Sequence, residues 1–230
     1  VVTMGVNYNN QSSNITAVIA HGFPGHSKSK MQRNVAELLY GAGYNTLAID
    51  FKRDWDKWSE LRKAKASPSE LMQAFEDVEF NEQVEYAVDK INMYGGSNKL
   101  VCVAHSYGAN IIFAALDKIK FEGVFSTNPM VEVNGFIRRR LGLIDSFPGV
   151  PKADESVDSL ANYQGKVAIM YHRFDLINWP GSNARRLVGA REGIEEYVLG
   201  GLPSVKMHNF GDSKSKKVFH EILLKFFKEI

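Results

Sequence analysis

Four stretches of strand length are almost unbroken in apolar residues, and they constrain the fold more than any other feature of the chain. They are ITAVIAHG (15–22), YNTLAIDF (44–51), KLVCVAHS (99–106) and KVAIMYH (166–172). A strand with one face in water alternates apolar and polar side chains, whereas a strand covered on both faces has no reason to. Between these runs lie helical patterns at about 29–42, 69–94, 107–119, 183–198 and 214–229. The last of them places Val218, Phe219, Ile222, Leu223, Phe226 and Phe227 at helical spacing. Weaker strand candidates follow at 121–129 and 204–210, and residues 1–8 can add an edge strand. Strand alternating with helix means parallel βαβ units, so the pattern predicts an α/β fold, a doubly wound and mostly parallel sheet with flanking helices. At 230 residues the chain fits a single domain, 1–230, that buries a large core without staples.

Charge narrows the function. The 28 Lys and Arg nearly balance 26 Asp and Glu, so nothing in the charge calls for nucleic acid or a membrane surface. The one cysteine, Cys102, sits inside an apolar run and has no partner for an intramolecular disulfide, which fits a reducing compartment. No apolar stretch reaches the roughly 18 residues of a membrane span, and no signal pattern opens the chain. A cytoplasmic protein is the expectation; the first residue is Val1, which leaves a removed leader open, and homo-oligomerisation stays open too.

One segment breaks the alternation. Residues 130–165 hold no convincing strand and mix apolar, basic and Pro/Gly positions, and a connection of that length in a compact domain tends to be functional. It reads as a small lid insertion. Phe136, Ile137, Leu141, Leu143, Ile144 and Phe147 are expected to face a pocket, with Phe136 and Phe147 as substrate contacts and Arg138 to Arg140 outside.

In open parallel sheets, ligands collect at the carboxyl ends of the strands. Past the first run come His21, Gly22, Phe23, Pro24 and Gly25; past the third comes Ser106; past the fourth, Asp175; in or just beyond the last strand candidate, His208. A hydroxyl, a carboxylate and an imidazole on separate strand ends are the parts of a nucleophile, its base and the group that orients the base. Their chain order, Ser then Asp then His, matches one known arrangement of that relay. The other five histidines are read otherwise: His21 and His105 as structural, His26 and His172 near the edge of the site, His220 on the surface of the last helix. Glu132 is a weaker rival to Asp175. The charge-rich stretch 51–68 reads mostly as a solvated face, with Trp55 and Trp58 as candidate walls of an acyl pocket.

These motifs resemble those of the α/β-hydrolase superfamily, its esterases and lipases above all. AHSYG (104–108) is similar to the nucleophile elbow, with Ala104 in place of the first glycine; HGFPG (21–25) resembles the oxyanion-hole loop. HRFD (172–175) and HNFGD (208–212) lie where the family carries its acid and its histidine. The resemblance implies a serine hydrolase, a carboxylesterase by expectation, acting on a small-molecule ester. Ser106 would be the nucleophile, His208 the base and Asp175 its orienter, with the backbone N–H groups of Phe23 and Tyr107 as the oxyanion hole. It implies no metal and no cofactor. Thioesterase, peptidase and carbon–carbon hydrolase activities share the same triad, and a non-catalytic ligand-binding member is the alternative from another class.

Overall fold

The computed structural model describes residues 7–9, 12–22, 25–75, 78–96, 98–130, 153–173, 175, 182–200, 210 and 213–230. Seven strands form one sheet: β1 (Asn7–Tyr8), β2 (Ile15–Ala20), β3 (Asn45–Ile49), β4 (Lys99–His105), β5 (Gly123–Thr127), β6 (Lys166–His172) and β7 (Glu195–Leu199). Their order across the sheet is β1-β3-β2-β4-β5-β6-β7, and every neighbouring pair is parallel except β1 with β3.

The helices divide between the two faces. Along each central strand, successive side chains alternate sides. Ala17, Ile19, Ala48, Val101, Val103, Phe125, Ala168 and Met170 face one layer. There they meet Val35, Ala36 and Leu39 of α1 (Lys30–Gly41), and Phe219, Leu223, Phe226 and Phe227 of the C-terminal α8 (Ser213–Lys228). Val18, Ala20, Leu47, Ile49, Cys102, Ala104, Val124, Val167 and Ile169 face the other. They pack on α4 (Phe80–Tyr94), α5 (Tyr107–Ala114), α6 (Ala153–Asn162) and α7 (Ser182–Val188). Each large apolar side chain buried this way contributes about 1.5–3 kcal/mol, which is why the strands carry apolar residues on both faces. The doubly wound expectation holds.

Two local expectations do not, and one helix is additional to those expected. The helical pattern at 69–94 is broken into α3 (Pro68–Leu71), a 3-10 turn (Met72–Phe75) and α4. The charge-rich stretch after β3 contains a helix, α2 (Trp55–Lys63), started by the Asp54 carboxylate, which accepts from the N–H groups of Asp56 and Lys57. The stretch 183–198 is not one helix: α7 ends at Val188, and β7 follows as the edge strand. β7 alternates half-buried and exposed positions, as an edge strand does. The strand expected at 204–210 lies outside the described residues except at Phe210.

Of the segment read as a lid, residues 131–152 lie outside the described residues. Its C-terminal part is α6, which packs on α5 through buried Leu160 and a 3.0 Å bond from Ser156 Oγ to the Asn110 carbonyl. Among the described residues no helix is long and apolar enough to cross a membrane.

Candidate active site

The chain switches direction across the sheet at β2. β3 lies on one side of it and β4 on the other, and ligands bind above such a switch point at the strands' carboxyl ends. There Ala20 pairs with Ala104, so the residues just past each strand, His21–Gly22 and His105–Ser106, come together.

Ser106 is the corner between β4 and α5. Its backbone has φ 54° and ψ −123°, a conformation that costs a residue with a Cβ about 1–3 kcal/mol unless its surroundings enforce it. They do. Ser106 N–H donates to the Thr127 carbonyl at 3.0 Å, and the Ser106 carbonyl accepts from Ala109 and Met130, each at 3.1 Å. The small residues around it are required by contact. A Cβ on Gly108 would lie 2.3 Å from the His21 carbonyl oxygen, and one on Gly22 would lie 2.8 Å from the Ser106 Cβ. The helix start at Tyr107 thus sits directly against the end of β2, with its amide dipoles aimed at the corner.

Tyr107 opens α5. Its ring is buried edge-on between Phe51 and Phe80, and burial pushes its hydroxyl above the ordinary tyrosine range. Asp175 is 1% exposed just past β6, its N–H donating to the His172 carbonyl at 3.2 Å. Asn128, at the end of β5, ties that corner to the sheet: its N–H donates to the Met170 carbonyl and its Oδ1 accepts from His172 N–H.

His208 lies outside the described residues. Two positions on, Phe210 is buried, its ring 5.2 Å from the His172 ring and stacked on Phe219 at 4.9 Å. Phe23, Phe136 and Phe147 also lie outside the described residues, as do Arg138 to Arg140 and Glu132.

The remaining histidines have structural settings. His105 Nδ1 meets Thr127 Oγ1 at 3.0 Å in the interior. His220 is half-buried beside Phe219, and burial, then the Lys216 charge, lowers its pKa. His26 packs edge-on against Trp58 at 5.2 Å, and burial brings it down to about 4. Trp55 and Trp58 stand 5.7 Å apart on α2, both against the guanidinium of Arg53.

Most charges of 51–68 are exposed as expected; Arg53 is the exception, its side chain fully buried. With Asp50 and His21 it forms a cluster beside Gly25 and Ser27 that no motif predicts. The one available hint was that Asp50 and Arg53 follow β3 at the same sheet edge. Among the described residues no group of three or more His, Cys, Asp or Glu is placed to hold a metal ion. Burial pushes the Cys102 thiol far up, so it has no thiolate character.

No protein-family model matches the chain, and no curated protein matches it by sequence. Solved structures do match. One, reported for the metagenome-derived lipolytic enzymes LipS and LipT, is 15% identical with a TM-score of 0.69, over 99% of this chain and 96% of that one. Est1E from Butyrivibrio proteoclasticus, solved with ferulic acid, is 18% identical with a TM-score of 0.68, over 93% and 88%. The α/β hydrolase domain-containing protein 10 from mouse is 8% identical with a TM-score of 0.69, over 97% and 93%. Likeness at such low identity speaks to architecture, and here it runs nearly end to end in each pair: the chain has the α/β-hydrolase fold.

Proposed function

We propose that the protein is a serine hydrolase that cleaves a small carboxylic ester through an acyl-enzyme. The observation that carries this reading is the Ser106 corner: a non-glycine residue with φ 54° between a buried strand and a helix start, at the sheet's switch point. Strain of this kind persists where a side chain has to be presented.

A serine hydroxyl attacks well only as a base takes its proton. His208 is that base. The burial of Phe210 beside His172 supports the assignment, because it anchors the chain two residues beyond His208 near the β6 end that carries Asp175. Ser106 Oγ adds to the ester carbonyl while its proton passes to the imidazole, and the carbonyl π electrons move onto oxygen. The backbone N–H groups of Tyr107 and Phe23 receive that oxyanion. Collapse expels the alcohol, which takes the proton from His208. Water then repeats the sequence on the acyl-enzyme and frees the acid. Asp175 orients the imidazole and stabilises its charged form. Trp55, Trp58, Phe136 and Phe147 are the proposed substrate contacts. That the LipS/LipT neighbour is lipolytic and that Est1E was solved with ferulic acid both favour an ester.

The test is a panel of p-nitrophenyl esters of increasing chain length beside thioester and aminoacyl substrates. Ester turnover is expected to rise with pH around the ordinary imidazole value of about 6.5. His208→Ala should abolish it, and His220→Ala should leave it within a few-fold. The reverse outcome for the two histidines would overturn the assignment of the base.

A further inference from the structure

Arg53 is charged, yet its side chain is fully buried. Each of its three nitrogens faces a different acceptor. Nη1 donates to the Gly25 carbonyl at 2.9 Å, Nη2 lies 3.2 Å from His21 Nε2, and Nε is 3.4 Å from the Phe51 carbonyl. The guanidinium is held flat among three rings, with Trp55 at 4.5 Å, Phe75 at 4.6 Å and Trp58 at 5.1 Å.

The His21 ring has one tautomer open to it. Nδ1 is 2.7 Å from the Gly22 carbonyl, which can only accept, so Nδ1 carries the hydrogen. Burial lowers the ring's pKa, which leaves Nε2 as a lone pair facing the Arg53 N–H. The 3.5 Å approach of Asp50 Oδ1 to Nε2 is therefore contact without a hydrogen bond, and Arg53 Nη2 stands 3.5 Å from the same carboxylate oxygen. Asp50 in turn accepts twice from Ser27: N–H to Oδ1 at 2.8 Å and Oγ–H to Oδ2 at 2.5 Å. Burial opposes ionisation of Asp50, but the two hydrogen bonds from Ser27 and the Arg53 charge prevail and hold the carboxyl well below the usual range.

The cluster grips both sides of the turn that Gly25 N–H closes onto the Gly22 carbonyl at 2.9 Å. That turn lies against the nucleophile through Gly22. A buried ion pair contributes little net stability compared with apolar packing of the same volume. A rigid, planar fork does set direction.

We propose that Arg53 and Asp50 are positioning residues for the oxyanion side of the active site. They hold Gly22, Gly25 and Ser27, the described residues on both sides of the turn, in place beside Ser106, and so set the backbone on the oxyanion side during acyl transfer. The proposal rests on the serine-hydrolase reading above.

The experiment titrates active sites with a fluorophosphonate probe and expresses turnover of p-nitrophenyl butyrate per titrated site. In Arg53→Met, kcat per site should fall about 10- to 100-fold, with KM within about threefold, since the loss falls on the transition state alone. Affinity for a trifluoromethyl ketone, which forms an oxyanion on the nucleophile, should fall in proportion to kcat/KM. The pH at which the rate rises should stay put. Arg53→Lys should fail to rescue the rate, because an ammonium cannot reproduce the fork. Turnover per site within twofold of wild type, or a loss lying wholly in KM, overturns the proposal.

If the Arg53 variants yield no titratable sites, Ser27→Ala decides. It removes only the bond from Ser27 Oγ to Asp50 and should lower kcat per site by roughly 3- to 10-fold; an unchanged rate overturns the proposal. Failure of the probe to label Ser106 in the wild type would refute the hydrolase reading and this proposal with it, whereas normal labelling with unchanged variants refutes the positioning role alone.

Discussion

Gly22 and Ser106 touch so closely that a methyl group on Gly22 would stand 2.8 Å from the Ser106 Cβ and 2.9 Å from His105 Cδ2. Gly22 and the Ser106 corner are therefore packed without room for a further atom between them. Gly22→Ala should displace the serine by a fraction of an ångström, lowering ester turnover about 100-fold while unfolding free energy drops by roughly 1–3 kcal/mol. Turnover and urea unfolding of the same preparation check this. Activity within twofold of wild type would show that the corner yields freely.

Gly108 faces backbone, which cannot step aside. An added Cβ there would lie 2.3 Å from the His21 carbonyl oxygen and 3.1 Å from the Ala20 carbonyl carbon. Gly108→Ala should cost about 3 kcal/mol, the upper end for overpacking. Gly41, the last residue of α1, has nothing within 4 Å of its would-be Cβ. Gly41→Ala should accordingly gain about 0.5–1 kcal/mol. Equal effects of the two variants on the urea midpoint would contradict the packing described.

Much of this architecture can be read in the chain. The strands β2, β3, β4 and β6 are visible because burial on both faces leaves them continuously apolar. The Ser106 corner is visible because close packing leaves no room for a side chain at 108, and Ala104 is fully buried. Two parts are hidden, each for a physical reason. β7, with sequence EEYVL, is an edge strand that opens on two glutamates and exposes Glu196 and Val198; it lacks a long apolar run and follows good helix formers, so its stretch resembles a helix. The Arg53–Asp50–His21 cluster joins residues about thirty positions apart across two strands, and the charges around Arg53 look like solvent-facing ones. Only the fold turns that guanidinium inward.

His26 links the same loop to pH. Burial holds its imidazole at about 4 instead of 6.5, against the opposing pull of Asp50. Between those values the unfolded chain binds a proton that the folded chain does not. The contribution is thus complete above about pH 6.5 and is lost as pH falls towards 4. The buried His21 acts in the same direction. Wild type should lose more stability than His26→Gln between pH 7 and pH 5, as measured by urea midpoints at each pH. Parallel losses in the two proteins would contradict the burial of His26.

The central claim is that Ser106 forms the covalent bond. The most direct measurement is intact mass and peptide mapping after treatment with a fluorophosphonate, paired with the turnover of Ser106→Ala. The account predicts one adduct per chain, on Ser106, and a variant that stays folded but has lost turnover by several orders of magnitude. An adduct on another residue, no adduct at all, or a Ser106→Ala protein retaining more than about a tenth of wild-type kcat would contradict it.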